Sequence, residues 1–205
     1  MSHNLALKTD SGWMSEQEFL AYERAAEFKH EYVDGYVYAM AGASREHNLI
    51  NGNVARHLGN QLEGKPCELY SNDMRVWLPR KRTYTYPDVV VVCGEPRFLD
   101  NEFDTLLNPM LIVEVLSPST KRYNLHGKFR EFRTVESCVE YVLIAQDCRA
   151  VAHFAKREGL WTILEVDDRV EFVSLPCVLT LDEIYERLKF DTEPPEEAAT
   201  QESHE

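Results

Sequence analysis

The chain has 205 residues, 44% of them hydrophobic and 28% charged, which is typical of one globular domain and excludes disordered or fibrous chains. Its formal net charge of −13 argues against tight non-specific binding of nucleic acid, because phosphate binding is driven mainly by Lys and Arg. No apolar run reaches the roughly 20 residues of a membrane helix, and residues 1–12 lack the pattern of a secretory signal.

The first part of the chain predicts two helices separated by a hairpin. Ser15 and Glu18 form a capping-box pattern that opens a helix to about residue 29. Asp34-Gly35, between β-type residues, predicts a tight hairpin turn. A second helix is predicted over residues 44–62. Its apolar stripe at i, i+4 spacing consists of Ile50, Val54, Leu58 and Leu62.

The rest of the chain predicts mainly strands. They cover residues 68–78, 84–93, 110–116, 140–145, 150–155, 161–166 and 170–174, with a polar loop over 94–108. The near-continuous apolar run 110–116 is typical of a strand covered on both faces. Helices are predicted over 117–135 and 181–188. We therefore expect an α/β (α+β) domain over residues 1–190, with a mixed central sheet flanked by helices.

The last fifteen residues differ in composition from the rest of the chain. Residues 191–205 contain six acidic residues, no Lys or Arg, and the pair Pro194-Pro195. This composition predicts an acidic, disordered tail.

The five cysteines are scattered, odd in number and form no C-x-x-C pair. This pattern argues against a disulfide framework and a zinc knuckle, and it fits a reducing cytoplasm. We expect them to be small, buried apolar residues. They are Cys67, Cys93, Cys138, Cys148 and Cys177.

Three charged residues stand in apolar segments, where an unpaired charge is costly. Glu114 is the one charged residue in the run 110–116, and Asp88 follows Pro87 and precedes four valines. At about 100° per residue, Lys128 falls inside the apolar arc of its helix, facing the sheet. That arc is formed by Leu125, Phe129, Phe132 and Val135, whereas Arg130, Glu131, Arg133 and Thr134 point elsewhere.

If Asp88, Glu114 and Lys128 converge, they relieve one another's burial and form a site for chemistry. Two carboxylates at a sheet edge suit Mg²⁺ or Mn²⁺. Such a cation binds a phosphate oxygen and activates a water, which the lysine can position. The alternatives are a structural ion pair between Glu114 and Lys128, and a loop-capping role for Asp88.

These residues lie within segments that resemble the Uma2 family of bacterial restriction-endonuclease-like proteins, catalogued as a domain of unknown function. The likeness covers residues 13–175. It rests on Glu31-Tyr32-Val33-Asp34-Gly35, Ser44 with His47, Tyr86-Pro87-Asp88-Val89, Ile112 to Thr120, Gly127-Lys128-Phe129 and Glu140 to Ile144.

The resemblance implies a PD-(D/E)XK nuclease fold with Asp88 and Glu114 as metal-binding residues. The simplest form of that motif has Lys two residues after the Glu, where this chain has Leu116. In this family the lysine has moved to the following helix, which implies Lys128. Asn124 stands where the family often has Asp, so no role is assigned to it. Related nucleases often cut two strands as pairs, which implies a homodimer.

Several other residues are weaker candidates for the same site. Glu31 is a candidate third metal ligand, the alternative being a solvated strand end, and His47 is a candidate accessory residue, the alternative being a core or helix-start histidine. Basic residues that could contact a phosphate backbone, or simply form solvated surface, are Arg80, Lys81, Arg82, Lys121, Arg122, Arg130 and Arg133.

The sequence thus predicts a cytoplasmic enzyme that hydrolyses DNA phosphodiester bonds with Mg²⁺ or Mn²⁺. Two alternatives stay open because the charge of −13 favours them over binding of long duplex DNA. One is a catalytically inactive member of the same fold that binds nucleic acid or a protein. The other is a metal-dependent hydrolase of a small phosphorylated substrate.

Overall fold

The computed structural model describes residues 13–116 and 127–190. The first helix, α1 (Glu16–Ala25), begins with the predicted capping box, in which the Ser15 side chain accepts from the Glu18 N–H and the Glu18 carboxylate accepts from the Ser15 N–H. The helix ends earlier than predicted, because Ala26 already has an extended backbone, with φ −77° and ψ 144°.

The predicted hairpin and second helix follow. Strands β1 (His30–Val33) and β2 (Tyr36–Ala39) pair around Asp34 and Gly35, whose φ angles of 47° and 97° are left-handed as this turn requires. Helix α2 (Arg45–Leu62) starts at Ser44, which caps it by accepting a 3.1 Å hydrogen bond from the His47 N–H. The whole predicted apolar stripe of α2 is buried.

Eleven further strands and two short helices complete the described chain. The strands are β3 (Cys67–Ser71), β4 (Arg75–Leu78), β5 (Thr83–Thr85), β6 (Val89–Cys93), β7 (Thr105–Leu106), β8 (Leu111–Leu116), β9 (Glu140–Ala145), β10 (Val151–Arg157), β11 (Leu160–Leu164), β12 (Arg169–Glu171) and β13 (Val178–Thr180). The helices are α3 (Phe129–Phe132) and α4 (Leu181–Ile184), and Pro79–Lys81 forms one 3₁₀ turn.

The strands form three sheets. The central sheet has the order β11-β10-β9-β8-β6-β3, and its β8–β9 pair is parallel while its other pairs are antiparallel, so the predicted mixed sheet is confirmed. A second sheet has the order β2-β1-β5-β4-β7, and β12 pairs with β13 alone. One face of the central sheet packs on α2, and the other packs on α3 and residues of the second sheet.

Two predicted strands are wrong, because each is two strands that belong to different sheets. Residues 68–78 divide into β3 and β4 at Asn72, whose φ of 63° cannot continue a strand. Residues 84–93 divide into β5 and β6 at Pro87, which lacks the N–H that a central strand would donate. The chain therefore crosses between the two main sheets immediately before Asp88.

Smaller corrections concern the loops and the later helices. The loop 94–108 contains β7, and the strand predicted over 170–174 is the shorter β12 in its own two-stranded sheet. The helix predicted to residue 135 ends at Phe132, because the Val135 N–H donates to the Phe132 carbonyl in a tighter turn. The final helix ends at Ile184. The predicted helix segment 117–126 and the tail 191–205 lie outside the described residues.

The cysteine prediction is wrong for three of the five residues. Cys67 and Cys93 face each other across β3 and β6 and form a disulfide. The cysteines therefore no longer argue for a reducing compartment. Cys148 is exposed, whereas Cys138 and Cys177 are buried as predicted. The sequence could not reveal the disulfide, because only the strand register brings two cysteines 26 positions apart into contact.

Within the described ranges, no helix is long and apolar enough to cross a membrane.

Reducing the Cys67–Cys93 disulfide is expected to lower the free energy of unfolding by about 3 kcal/mol, because it releases a loop of moderate length in the unfolded chain. Urea denaturation with and without dithiothreitol measures the difference. The Cys67→Ser, Cys93→Ser double variant is the control and should not respond to the reductant. A wild type equally insensitive to reductant would contradict the prediction.

Candidate active site

Glu114 lies in β8, which, like its neighbour β9, is buried at every position. All six residues of β8 are buried, because β8 has neighbouring strands on both edges and apolar layers on both faces. Glu114 shares the strand face of Ile112 and Leu116, which packs against Phe132 of α3. Its side chain is 4% exposed. Burial raises the pKa of Glu114 to about 7; Lys128 opposes this rise, and the charges of Asp88 and Glu31 add to it.

Asp88 lies beside Glu114 because of the register between β6 and β8. Val89 pairs with Val113 in this antiparallel ladder, so extending it by one position sets Asp88 opposite Glu114. Asp88 Oδ2 accepts a 2.7 Å hydrogen bond from the Val115 N–H, which fixes the carboxylate at the end of β8. Two carboxylates directly opposite each other repel, so a stable fold needs a compensating positive charge nearby.

Lys128 provides part of that compensation, as the helical wheel predicted. Its Nζ lies 3.2 Å from Oε1 of Glu114 and 3.0 Å from Oε1 of Glu31. Burial lowers the pKa of Lys128, but the charges of Glu114 and Glu31 outweigh burial and raise it above its usual value. The lysine is therefore a fixed ammonium group between two carboxylates.

Glu31 comes from β1 in the second sheet, so the site lies where the two main sheets meet. Its side chain is 16% exposed and accepts a hydrogen bond from the hydroxyl of Thr85 in β5. The alternative of a solvated strand end is thus excluded for Glu31. Periodicity in one strand gave no reason to choose this carboxylate, because its partners lie in other elements.

His47, in the first turn of α2, is the fifth group of the site. Its Nε2 lies 3.3 Å from Oδ1 of Asp88, and its side chain is 16% exposed. Burial lowers the pKa of His47, but the hydrogen bond to Asp88 and the charges of Asp88 and Glu114 outweigh burial and raise it. The candidate accessory histidine therefore faces the predicted site, not the hydrophobic core.

The donor chemistry fits a divalent cation held by two carboxylates. Within residues 13–116 and 127–190, no three His, Cys, Asp or Glu side chains are grouped so that they could hold a metal ion alone. However, Mg²⁺ is commonly bound by one or two carboxylates, completed by water and substrate phosphate. Asp88 and Glu114 match that pattern. Lys128 pairs with two carboxylates, Glu31 and Glu114, while Asp88 pairs with His47, so a divalent cation would add positive charge to a group that contains three carboxylates.

A small cavity next to Lys128 is bounded by another buried carboxylate that the sequence did not indicate. The cavity has a volume of about 50 Å³ and is lined by Glu31, Lys128 and Glu131, among others. The wheel placed Glu131 away from the sheet, yet its side chain is 9% exposed and lies 3.6 Å from Lys81 Nζ and 3.8 Å from Arg80 Nη1. No local pattern could identify these partners, because they lie in the second sheet's β4–β5 connection.

The structure separates the predicted basic residues. Arg80 and Lys81 lie beside the cavity, while Arg82 pairs with Asp34 at the hairpin turn. Arg130 and Arg133 are exposed on α3. Lys121 and Arg122, the other predicted basic residues, lie outside the described residues, as does Asn124.

Comparison with known proteins gives a family match over most of the chain. The family Uma2, described as "Putative restriction endonuclease", matches residues 16–184. Two similar proteins come from Synechocystis sp. (strain ATCC 27184 / PCC 6803 / Kazusa) and are described as uncharacterized. Protein slr1290 is 35% identical over 86% of this chain and 94% of its own length. Protein sll1609 is 37% identical over 73% of this chain and 85% of its own length.

A solved structure has the same fold. It is a "putative nuclease belonging to DUF820" from Anabaena variabilis ATCC 29413, with a TM-score of 0.66 over 84% of this chain and 97% of that chain. Because the two sequences are 15% identical, this similarity shows the fold alone.

Proposed function

The chain belongs to the Uma2 family of restriction-endonuclease-like proteins, and we propose from its site that it is a metal-dependent endonuclease that hydrolyses DNA phosphodiester bonds. One observation supports this proposal most strongly. Asp88, Glu114 and Lys128 converge from three elements at the end of a buried strand, with Lys128 Nζ 3.2 Å from Glu114. Structural pairing accounts for Glu114 with Lys128, and the Val115 N–H and His47 hold Asp88, but these contacts do not offset the repulsion between two carboxylates placed opposite each other.

In this proposal Asp88 and Glu114 hold Mg²⁺ or Mn²⁺, and Glu31 is a predicted third carboxylate. The bound cation would supply a Lewis acid for the phosphate and a more acidic water. The protein's own contribution is positioning. The Val115 N–H fixes Asp88, and the burial of β8 keeps Glu114 in one orientation.

Lys128 is proposed to act on the reacting phosphate or on the attacking water. Its ammonium group is fixed between Glu114 and Glu31 and stays protonated, because the surrounding carboxylates raise its pKa. A positive charge held in this way can stabilise negative charge that develops on the phosphate in the transition state. It can also orient a water by hydrogen bonding.

Replacing Lys128 with glutamine is expected to lower kcat roughly 100-fold without weakening cation binding. The amide retains hydrogen-bond donors for the two carboxylates, but the positive charge is lost. Removing a positive charge beside the metal ligands should leave cation affinity unchanged or higher. Single-turnover cleavage and a Mn²⁺ titration measure the two quantities. Loss of cation affinity in proportion to the rate would contradict the assigned role.

The first test of the proposal is cleavage of single-stranded, double-stranded and branched DNA in Mg²⁺ and in Mn²⁺. Wild type is compared with the Asp88→Ala and Glu114→Ala variants. Cleavage by wild type alone supports the proposal. Cleavage that persists in Asp88→Ala shows that the site is misassigned.

The alternative is a catalytically inactive member of the fold that binds nucleic acid or a protein, and the net charge of −13 favours it. Thermal melting during a Mg²⁺ or Mn²⁺ titration separates the two. A hydrolase site should give saturable stabilisation that disappears in Asp88→Ala, because a cation that binds only the folded state stabilises it. A binding module without a cation site should not respond.

A further inference from the structure

An aromatic cluster lies directly beside the proposed active site. Phe129 follows Lys128 in the chain, and its ring contacts those of Phe154 and Trp161 with centroids 4.5 Å and 5.2 Å apart. Tyr141 lies behind these rings, with its centroid 5.4 Å from that of Phe129. The rings therefore form a layer that runs from α3 across β10 to the edge strand β11.

The outer part of this layer is accessible. Tyr141 is fully buried, whereas Phe129, Phe154 and Trp161 are only partly buried. On the same sheet face, Ile163 is 73% exposed. We call Phe154, Trp161 and Ile163 the aromatic platform. One edge of this apolar surface is exposed to solvent, unlike the interior of the core.

Positively charged side chains lie next to the aromatic rings. Lys156 is the direct cross-strand partner of Trp161, so the two side chains lie on the same face. Arg133 follows α3 directly, its backbone N–H donates a 3.0 Å hydrogen bond to the Phe129 carbonyl one helical turn earlier, and its side chain is exposed. Among the described residues, no carboxylate forms an ion pair with Lys156, Arg130 or Arg133.

We propose that the aromatic platform binds single-stranded DNA, with bases stacked on Trp161 and the backbone held by Lys156 and Arg133. Partly exposed rings beside cationic side chains are a combination that binds single strands, because every base has a face that can stack. In a duplex those faces are already covered by neighbouring bases. The strand would run from the aromatic platform to Lys128, one residue from Phe129 in the chain.

This inference rests on the proposed function, since it names the substrate class of the same site. The residues that would bind the strand lie outside the group formed by Asp88, Glu114 and Lys128. The net charge of −13 lowers the affinity expected for the strand, but local cationic side chains still attract phosphate over short distances on an acidic protein, because salt screens the more distant charges.

The test is equilibrium binding of a labelled oligothymidylate and of a duplex of equal length, by fluorescence anisotropy in EDTA. Without divalent cations, binding is measured independently of cleavage. We expect wild type to prefer the single strand. The Trp161→Leu variant should bind it roughly tenfold more weakly, and Trp161→Phe should retain most of the affinity. Phe28→Leu is the control, because Phe28 is an exposed aromatic residue (70%) outside the aromatic platform.

A second variant is included because a folding defect in Trp161→Leu would also lower its affinity. Arg133 is exposed, so Arg133→Gln should fold normally and should reduce the salt dependence of single-strand binding by about one phosphate contact. Unchanged single-strand affinity in both variants would overturn the inference. So would a dimer that Trp161→Leu dissociates without affecting oligonucleotide affinity.

The two proposals can fail separately. Specific single-strand binding without metal-dependent cleavage would support the role of the aromatic platform and contradict the proposed nuclease activity. If Trp161→Leu changes neither the cleavage rate nor the single-strand affinity, only the role of the aromatic platform is contradicted.

Discussion

Replacing Glu114 with glutamine, or Asp88 with asparagine, is expected to reduce metal-dependent DNA cleavage roughly 1000-fold. Metal catalysis supplies several kcal/mol of transition-state stabilisation, and each 1.4 kcal/mol is about a factor of ten in rate. Both amides keep the size of the side chain but cannot balance a divalent cation. Glutamine has nearly the same size and shape as Glu114, and Lys128 keeps its ion pair with Glu31, so the packing of β8 should be retained.

Cleavage assays in Mn²⁺ should be combined with thermal melting, so that a loss of activity can be separated from a loss of fold. Asp182→Asn is a matched control, because Asp182 is 88% exposed and pairs with Arg149 at the surface. Its activity should equal that of wild type. If Glu114→Gln keeps full activity while Asp88→Asn loses it, the cation is held elsewhere than between these two carboxylates.

Replacing Glu140 with alanine is expected to lower the free energy of unfolding by about 3–5 kcal/mol, although this residue is outside the active site. Glu140 is fully buried at the start of β9. It accepts hydrogen bonds from His153 at 2.5 Å and from the N–H groups of Val173 and Ser174 at 2.8 and 2.9 Å. It also accepts one from the Ser174 hydroxyl. Alanine would leave the buried His153 and the partly buried donors of Val173 and Ser174 without this partner.

The same contacts give a pH dependence of stability. Burial raises the pKa of Glu140, but the hydrogen bonds from His153, Ser174 and Val173 outweigh burial and lower it below the usual 4.5. A lowered folded-state pKa contributes stability above the unfolded-state value, and this contribution is lost as pH falls through the folded-state value. Wild type should therefore lose stability in acid by this route, and Glu140→Ala should not.

Urea denaturation at neutral and acidic pH measures both effects. Glu171→Ala is the control, because Glu171 is 63% exposed in a surface pair with Arg169 and should change stability by less than about 0.5 kcal/mol. Equal losses in the two variants would show that the buried network around Glu140 does not hold the 172–174 segment in place.

The elements that the sequence predicted correctly have local signals that agree with the tertiary structure. The stripe of α2, the Asp-Gly turn and the apolar run of β8 each follow from periodicity or turn chemistry within one segment. The strand breaks at Asn72 and Pro87 were missed because both flanking segments have β-type residues. Only the allocation of those segments to two sheets reveals the breaks.

The candidate site divides in the same way. Glu114, Asp88 and Lys128 were identifiable because each places a charge where the local pattern is apolar. Glu131 was missed, since a charged residue on the polar side of a helix looks solvated until the loop carrying Lys81 is placed over it. The partners of Glu31 could not be foreseen either, because Lys128 lies 97 positions away along the chain.

The parallel pairing of β8 with β9 determines when the site can exist during protein synthesis. A ribosome-bound chain that ends before residue 140 has no β9, so β8 would be an edge strand with Glu114 open to water. The enclosed site would therefore form in one late step, when the strand beginning at Glu140 emerges and pairs with β8.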